Sequence, residues 1–150
     1  AHASEVLVGD AIGKKKRDYL LTSIFTTGKF SLYFMLIYLI IFITLSPKLI
    51  LFISDVNELI FAVEEYIIWL YAIFIIATIA FWLDGVFIGL LKTKLLRNVM
   101  IISGGLFFLL VLIIFNSGNH LLWLALLIFF FLRSFLLGLS LVNTLRKKSI

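Results

Sequence analysis

One carboxylate, Asp84, interrupts the apolar stretch 81–91 (FWLDGVFIGLL), and one guanidinium, Arg133, interrupts the apolar stretch 121–141. A charge in such company is expensive to desolvate, which makes each residue a candidate for function rather than filling. Asp84 stands eight residues before Lys92, a rise of about 12 Å along a helix. Arg133 stands thirteen residues before Arg146 and about nine from the end of its apolar run, so the two share a depth. An acid and a base at one depth invite pairing, because each relieves the desolvation cost of the other. The chemistry on offer is exchange at a carboxyl group, which binds a proton or a cation in one setting and releases it when the surroundings rewet. The blander reading has Arg133 snorkelling along its stem to the headgroups while Asp84 only joins helices.

The elements that must position these charges follow from composition. Of 150 residues, 63% are hydrophobic and 14% charged, with mean hydropathy +1.21 and one proline, which describes an integral membrane protein of helices rather than a soluble domain. There is no cysteine, which excludes disulfides, a cysteine-ligated zinc site and a thiol nucleophile. An all-α, polytopic bundle is expected, with about four transmembrane helices plus the end of a fifth. Residues 1–13 read as the tail of a helix, its end bracketed by Gly9 and Gly13, and not as a signal peptide. The first full segment runs from about Phe30 to Leu45. A polar stretch (Thr22, Ser23, Thr26, Thr27, Lys29) expected along the interface precedes it, and Ser46-Pro47 is expected to close it. The second opens near Val56, carries Glu58, Glu64 and Glu65 early, and runs uncharged from Tyr66 to Leu83. The third spans about Asn98 to Phe115. A turn, Asn116 to His120, leads to the fourth, about Leu121 to Leu141.

Charge placement orients the path. With both ends of the chain in the cytoplasm, Lys14 to Arg17, Lys92, Lys94, Arg97 and Arg146 to Lys148 share one side, ten basic residues against Lys48 alone opposite. The other side receives Asp55, Glu58 and the Asn/Gly/His turn. A multi-pass protein of the inner (plasma) membrane is the expectation. The basic residues sit at the ends of apolar segments rather than on a polar surface, so membrane lipid, and not nucleic acid, is the expected partner.

Small residues gather near the acid. Ala77 and Ala80 share its face, and Gly85 with Gly89 forms a GxxxG spacing on the neighbouring stripe. Ser103, Gly104 and Gly105 lie at a similar depth in the next segment, and Gly85, Gly89, Gly104 and Gly105 are read as helix-packing positions. Asp10 beside a loop is expected to be solvated. Glu64 and Glu65 are expected near the outer interface. His120 reads as a surface residue and His2 lies far from it in sequence, so no histidine metal cluster is expected. Trp69, Trp82 and Trp123 are expected to anchor interfaces or pack. The sequence carries no Walker loop, dinucleotide fingerprint or G-x-S-x-G elbow, so no enzyme activity and no catalytic residues are expected.

Several segments in order, Glu5–Gly13, Asp84-Gly-Val-Phe-Ile-Gly89, Lys94-Leu-Leu-Arg-Asn-Val-Met100, Gly118–Ala125 and Arg133, resemble the C-terminal half of multidrug and toxic compound extrusion (MATE) transporters, in the branch of the DNA-damage-inducible protein F. The resemblance covers essentially the whole chain. It implies a fragment of one transmembrane domain, from the end of helix 8 through helix 12 of a twelve-helix protein, with the N-terminal lobe as its missing partner. It also implies secondary active efflux of amphipathic, often cationic organic compounds by H⁺ or Na⁺ antiport, with no other cofactor or metal. It gives Asp84 the place of a coupling-cation residue, and Arg133 joins it as a candidate on the coupling-ion and substrate pathway. The sequence departs from the family at Ala80, where sodium-coupled members tend to carry a hydroxyl-bearing aromatic, and it lacks a mid-helix proline in 69–74. Two alternatives remain: a lipid-linked saccharide flippase of the same superfamily, which would need more buried base than Arg133, and a non-transporting structural subunit, which needs no deep acid.

Overall fold

The computed structural model describes residues 1–53, 57–114 and 118–146. Five helices follow one another: α1 (His2–Gly13), α2 (Arg17–Ile53), α3 (Asn57–Gly89), α4 (Thr93–Ile114) and α5 (Asn119–Arg146). No strand occurs among the described residues. Four of the helices, α2 to α5, contain spans long and apolar enough to cross a membrane, and the chain is a multi-pass membrane protein. Residues 54–56, the turn residues Asn116 and Ser117, and Lys147 and Lys148 lie outside the described residues, as do the expectations placed on Asp55 and on the side chain of Glu58.

α3 occupies the centre, packed on α1, α2 and α5, while α4 lies against α5 and touches α3 less. The closely packed core is confined to one end. It draws on Val8 and Ala11 at the end of α1, Leu20 and Ile24 at the start of α2, Leu83, Val86 and Phe87 near the end of α3, Leu96 and Val99 at the start of α4, and Leu137 and Leu141 near the end of α5. This is the end where Lys14 to Arg17, Lys92, Lys94, Arg97 and Arg146 gather, called the basic end below. Away from it, large apolar side chains such as Ile40 and Phe108 stand exposed, as lipid-facing positions do.

Two expectations about α2 are corrected. The polar stretch 22–29 is not a separate lead-in but the second to fourth turns of one helix of 37 residues, about 55 Å long. Two of its hydroxyls turn inward while Thr22 and Thr26 stay exposed: Ser23 and Thr27 are buried, and Thr27 donates to the Ser23 carbonyl while accepting from Trp82 Nε1 on α3. Gly28, one residue on, leaves room for the Trp82 ring, which a Cβ there would meet at 2.9 Å. Nor does α2 close at Ser46-Pro47; it continues to Ile53. Proline removes the N–H that would reach the carbonyl of Ile43, and the Ser46 hydroxyl donates to that carbonyl instead, at 3.3 Å. With its proton so engaged, Ser46 Oγ accepts from the Tyr71 hydroxyl of α3 at 2.9 Å, so the replacement also ties two helices.

The GxxxG stripe of α3 faces α1. A Cβ at Gly85 would collide with the backbone of Ala1, and one at Gly89 would come within 2.7 Å of the Glu5 carbonyl oxygen and 2.8 Å of Val8 Cβ. Gly104 and Gly105 differ. Nothing among the described residues stands within 4 Å of a Cβ placed at either. α4 presents Leu96, Val99 and Ser103 inward, positions three and four apart on one face, and the next two residues rotate away from it.

Both tight turns at the basic end use a non-glycine residue in the left-handed region. Lys15 (φ 51°) follows α1, so Gly13 is the last helical residue and not the one that reverses the chain. Leu91 (φ 56°) follows α3, where the N–H of Leu91 bonds the Ile88 carbonyl and the N–H of Lys92 bonds that of Phe87, the paired bonds of a Schellman turn. Glycine is the residue that this position favours, so Leu91→Gly is expected to raise stability by about 1 kcal/mol, read as a higher midpoint of thermal unfolding in detergent. Gly89→Ala is expected to lower stability by about 1–3 kcal/mol in the same assay, because backbone and a β-branched neighbour must give way.

Candidate functional site

Asp84 lies on the face of α3 turned to α5. Its own stripe offers only Ala80 one turn earlier and Ala77 two turns earlier, both buried, so the α5 backbone can come close. The approach is visible at Ser134, whose Oγ donates to the carbonyl of Ile76 on α3 at 3.3 Å. Arg133, next in sequence to Ser134, thereby enters the gap. Its Nη2 donates to Asp84 Oδ2 at 2.5 Å, a salt bridge between side chains that are 8% and 11% exposed. Leu83, Phe87 and Leu137, within four residues of the pair in sequence, belong to the packed core. The guanidinium carbon also stands 5.9 Å from the centre of the Phe81 ring, one turn before Asp84, within reach of a cation–π attraction.

The bridge is single-pronged. Asp84 Oδ1 and Arg133 Nε are both buried without a hydrogen-bond partner among the described residues. A fork-to-fork arrangement would have satisfied both. As it stands, one carboxylate oxygen is buried with no partner among the described residues, and a buried acceptor of that kind is costly unless something satisfies it. The carboxyl group also sits between opposing influences, since burial favours a neutral acid and an adjacent guanidinium favours the ionised one.

The remaining acids are arranged differently. Asp10 is exposed and accepts from Lys14 Nζ at 2.6 Å and from the Tyr19 hydroxyl at 3.2 Å. The Lys14 hydrogen bond holds its carboxyl below the usual range and raises Lys14 in return. Glu5 lies 3.5 Å from His2 Nδ1 on the same helix. Glu64 is exposed, and Glu65 bonds His120 Nε2 at 2.7 Å.

That last contact belongs to a cluster that the sequence reading did not assemble. Trp69 Nε1 donates to His120 Nδ1 at 3.1 Å, which leaves Nε2 to carry the proton toward Glu65. The Tyr66 ring lies 4.8 Å from His120 and stacks on Trp123 at 6.3 Å. Glu65 and Trp69 are four residues apart on one helix face, a spacing legible in the sequence; that His120 of α5 would meet them was not. The cluster joins α3 and α5 at the end away from the core. Among the described residues no group of three metal-ligating side chains occurs.

Comparisons with known proteins bear on the segments that carry Asp84 and Arg133. The MatE family model matches residues 1–114, which include Asp84. DNA damage-inducible protein F of Escherichia coli (strain K12) is 29% identical over 147 residues, 98% of this chain and 31% of that relative. The chain thus spans about a third of the length of the relative it matches. No solved structure matches it.

If the salt bridge is the only relief for two buried charges, removing one partner strands the other. Arg133→Met is expected to lower stability by about 3–5 kcal/mol, and the double variant Asp84→Leu/Arg133→Met to recover most of that loss, measured as a double-mutant cycle of unfolding in detergent.

Proposed function

We propose, from the premise that this chain belongs to the MatE family, that it is part of a secondary efflux transporter in which Asp84 exchanges a coupling cation against an amphipathic, often cationic organic compound. In this reading α1 is the end of helix 8 and α2 to α5 are helices 9 to 12 of the full protein, whose other lobe closes the pathway. The basic end faces the cytoplasm of a plasma membrane, in keeping with the retention of lysine and arginine on that side.

One observation carries the proposal: Asp84 Oδ1 is buried and unpartnered beside a satisfied Oδ2. A carboxylate fully engaged by arginine would be inert, and one open to water would bind a cation weakly. Here one oxygen is held by Arg133 and the other remains to receive a proton or cation. Ala80, fully buried one turn before Asp84, supplies no oxygen to a metal ion, which favours H⁺ over Na⁺ as the coupling ion. Protonation of Oδ1 removes the charge that Arg133 pairs with, so the guanidinium loosens and α3 and α5 are freed to shift. A cationic substrate then competes with the proton for the same negative charge, and exchange follows with no bond of the substrate made or broken.

The full-length transporter carrying Asp84→Asn is expected to reach the membrane at normal levels and to lose proton-driven efflux of cationic dyes by about tenfold or more. Unchanged efflux removes Asp84 from the mechanism.

A further inference from the structure

The basic end carries two cavities that the Asp84–Arg133 site does not use. A cup of about 340 Å³ is lined by Lys15, Lys16 and Arg17 together with Ala11, Ile12 and Leu20 at the α1–α2 turn. An apolar groove of about 440 Å³ runs between α2, α3 and α5, with Ile24, Phe25, Trp82, Leu141, Val142 and Leu145 among its walls. Arg17 links the two, since it lines the cup and its Nη2 donates to the carbonyl of Leu145, a groove wall, at 2.9 Å. On α2 the link is continued by register. Arg17, Leu20, Ile24, Gly28 and Ser31 recur at intervals of three and four and so share one face. The nearby acids, Asp10 and Asp18, line neither cavity.

We infer that this cup and groove together bind an anionic phospholipid, the phosphate in the cup of Lys15, Lys16 and Arg17 and an acyl chain along the groove. Charge complementarity selects the occupant. Three cations stand at the cup, and the groove walls are mostly hydrocarbon with Lys29 as their one charged residue, so every charge lining the two cavities is positive, which matches an amphipathic anion. A cationic substrate would be repelled by the cup, and an apolar helix would fill the groove but leave the cup unmatched. Arg17 spends one of its five N–H donors on the carbonyl of Leu145, a groove-wall residue, and the rest of its fork is left for phosphate oxygens. The inference does not rest on transport activity; it requires only the α1–α2 turn and the packing of α2, α3 and α5.

A photoreactive side chain at the groove tests it. The full-length protein with Val142→p-benzoylphenylalanine is placed in nanodiscs of equal parts phosphatidylglycerol and phosphatidylcholine and irradiated, and the adducts are weighed by mass spectrometry. Capture of phosphatidylglycerol over phosphatidylcholine by about tenfold or more is expected. Adding Lys16→Gln and Arg17→Gln should bring the two lipids toward parity. The same label at Ile101, an exposed position on α4 away from the groove, should show no preference. Equal capture of the two lipids at Val142, an equal preference at Ile101, or a cross-link to a protein segment instead of lipid would each overturn the inference.

Discussion

A single buried ion pair sets the terms for the rest of the bundle. Arg133 can reach Asp84 only if α5 lies close along α3, and it lies close because Ala77 and Ala80 present almost no side chain there, with Ser134 bonding the α3 backbone directly. The stripe beside Asp84, Gly85 and Gly89, is as bare for a second neighbour, α1. α3 is therefore clasped on two faces by backbones that approach it without intervening side chains. In lipid, where apolar burial between helices gains little over contact with acyl chains, such close approach and the polar bonds it permits hold helices together.

Packing is distributed unevenly along the membrane normal. The closely packed core and most of the positive charge share one end, where both tight turns also lie. Toward the other end side chains open outward, and the helices are joined by polar pins: Ser46 with Tyr71, and Glu65 and Trp69 with His120. Asp84 and Arg133 sit where the packed region gives way to the pinned one. A charge pair placed there is shielded by the packed core on one side, and beyond it only the polar pins join the helices.

α2 shows how a local rule yields to its surroundings. Proline in a helix interior leaves the carbonyl four residues earlier without its donor, so Pro47 argues for a break. In a membrane the penalty for an open break is larger still, and a neighbouring hydroxyl that supplies the missing donor keeps the helix intact. Ser46 does this, and the seryl oxygen gains a second role as the acceptor for Tyr71. The inward turn of Ser23 and Thr27 has a similar cause, since a bilayer-depth tryptophan N–H requires an acceptor and Thr27 provides it.

What could be read from the amino-acid order was whatever depends on composition and on rise along one axis. Four spans, the approximate limits of all but the first, the gathering of lysine and arginine at one end, and the common depth of Asp84 and Arg133 all follow from hydropathy and 1.5 Å per residue. The GxxxG stripe was recognisable as a packing surface, but not that α1 would be its partner, nor that Gly104 and Gly105 would turn away from every described neighbour. Those outcomes depend on the rotation of each helix about its axis and on which helices are adjacent, and two residues of sequence, 200° of rotation, separate a core position from an open one. The same is true of the salt bridge. Depth made it possible, but its single prong, with Oδ1 and Nε left over, was decided only when α3 and α5 settled at a distance and azimuth that a one-dimensional string does not contain.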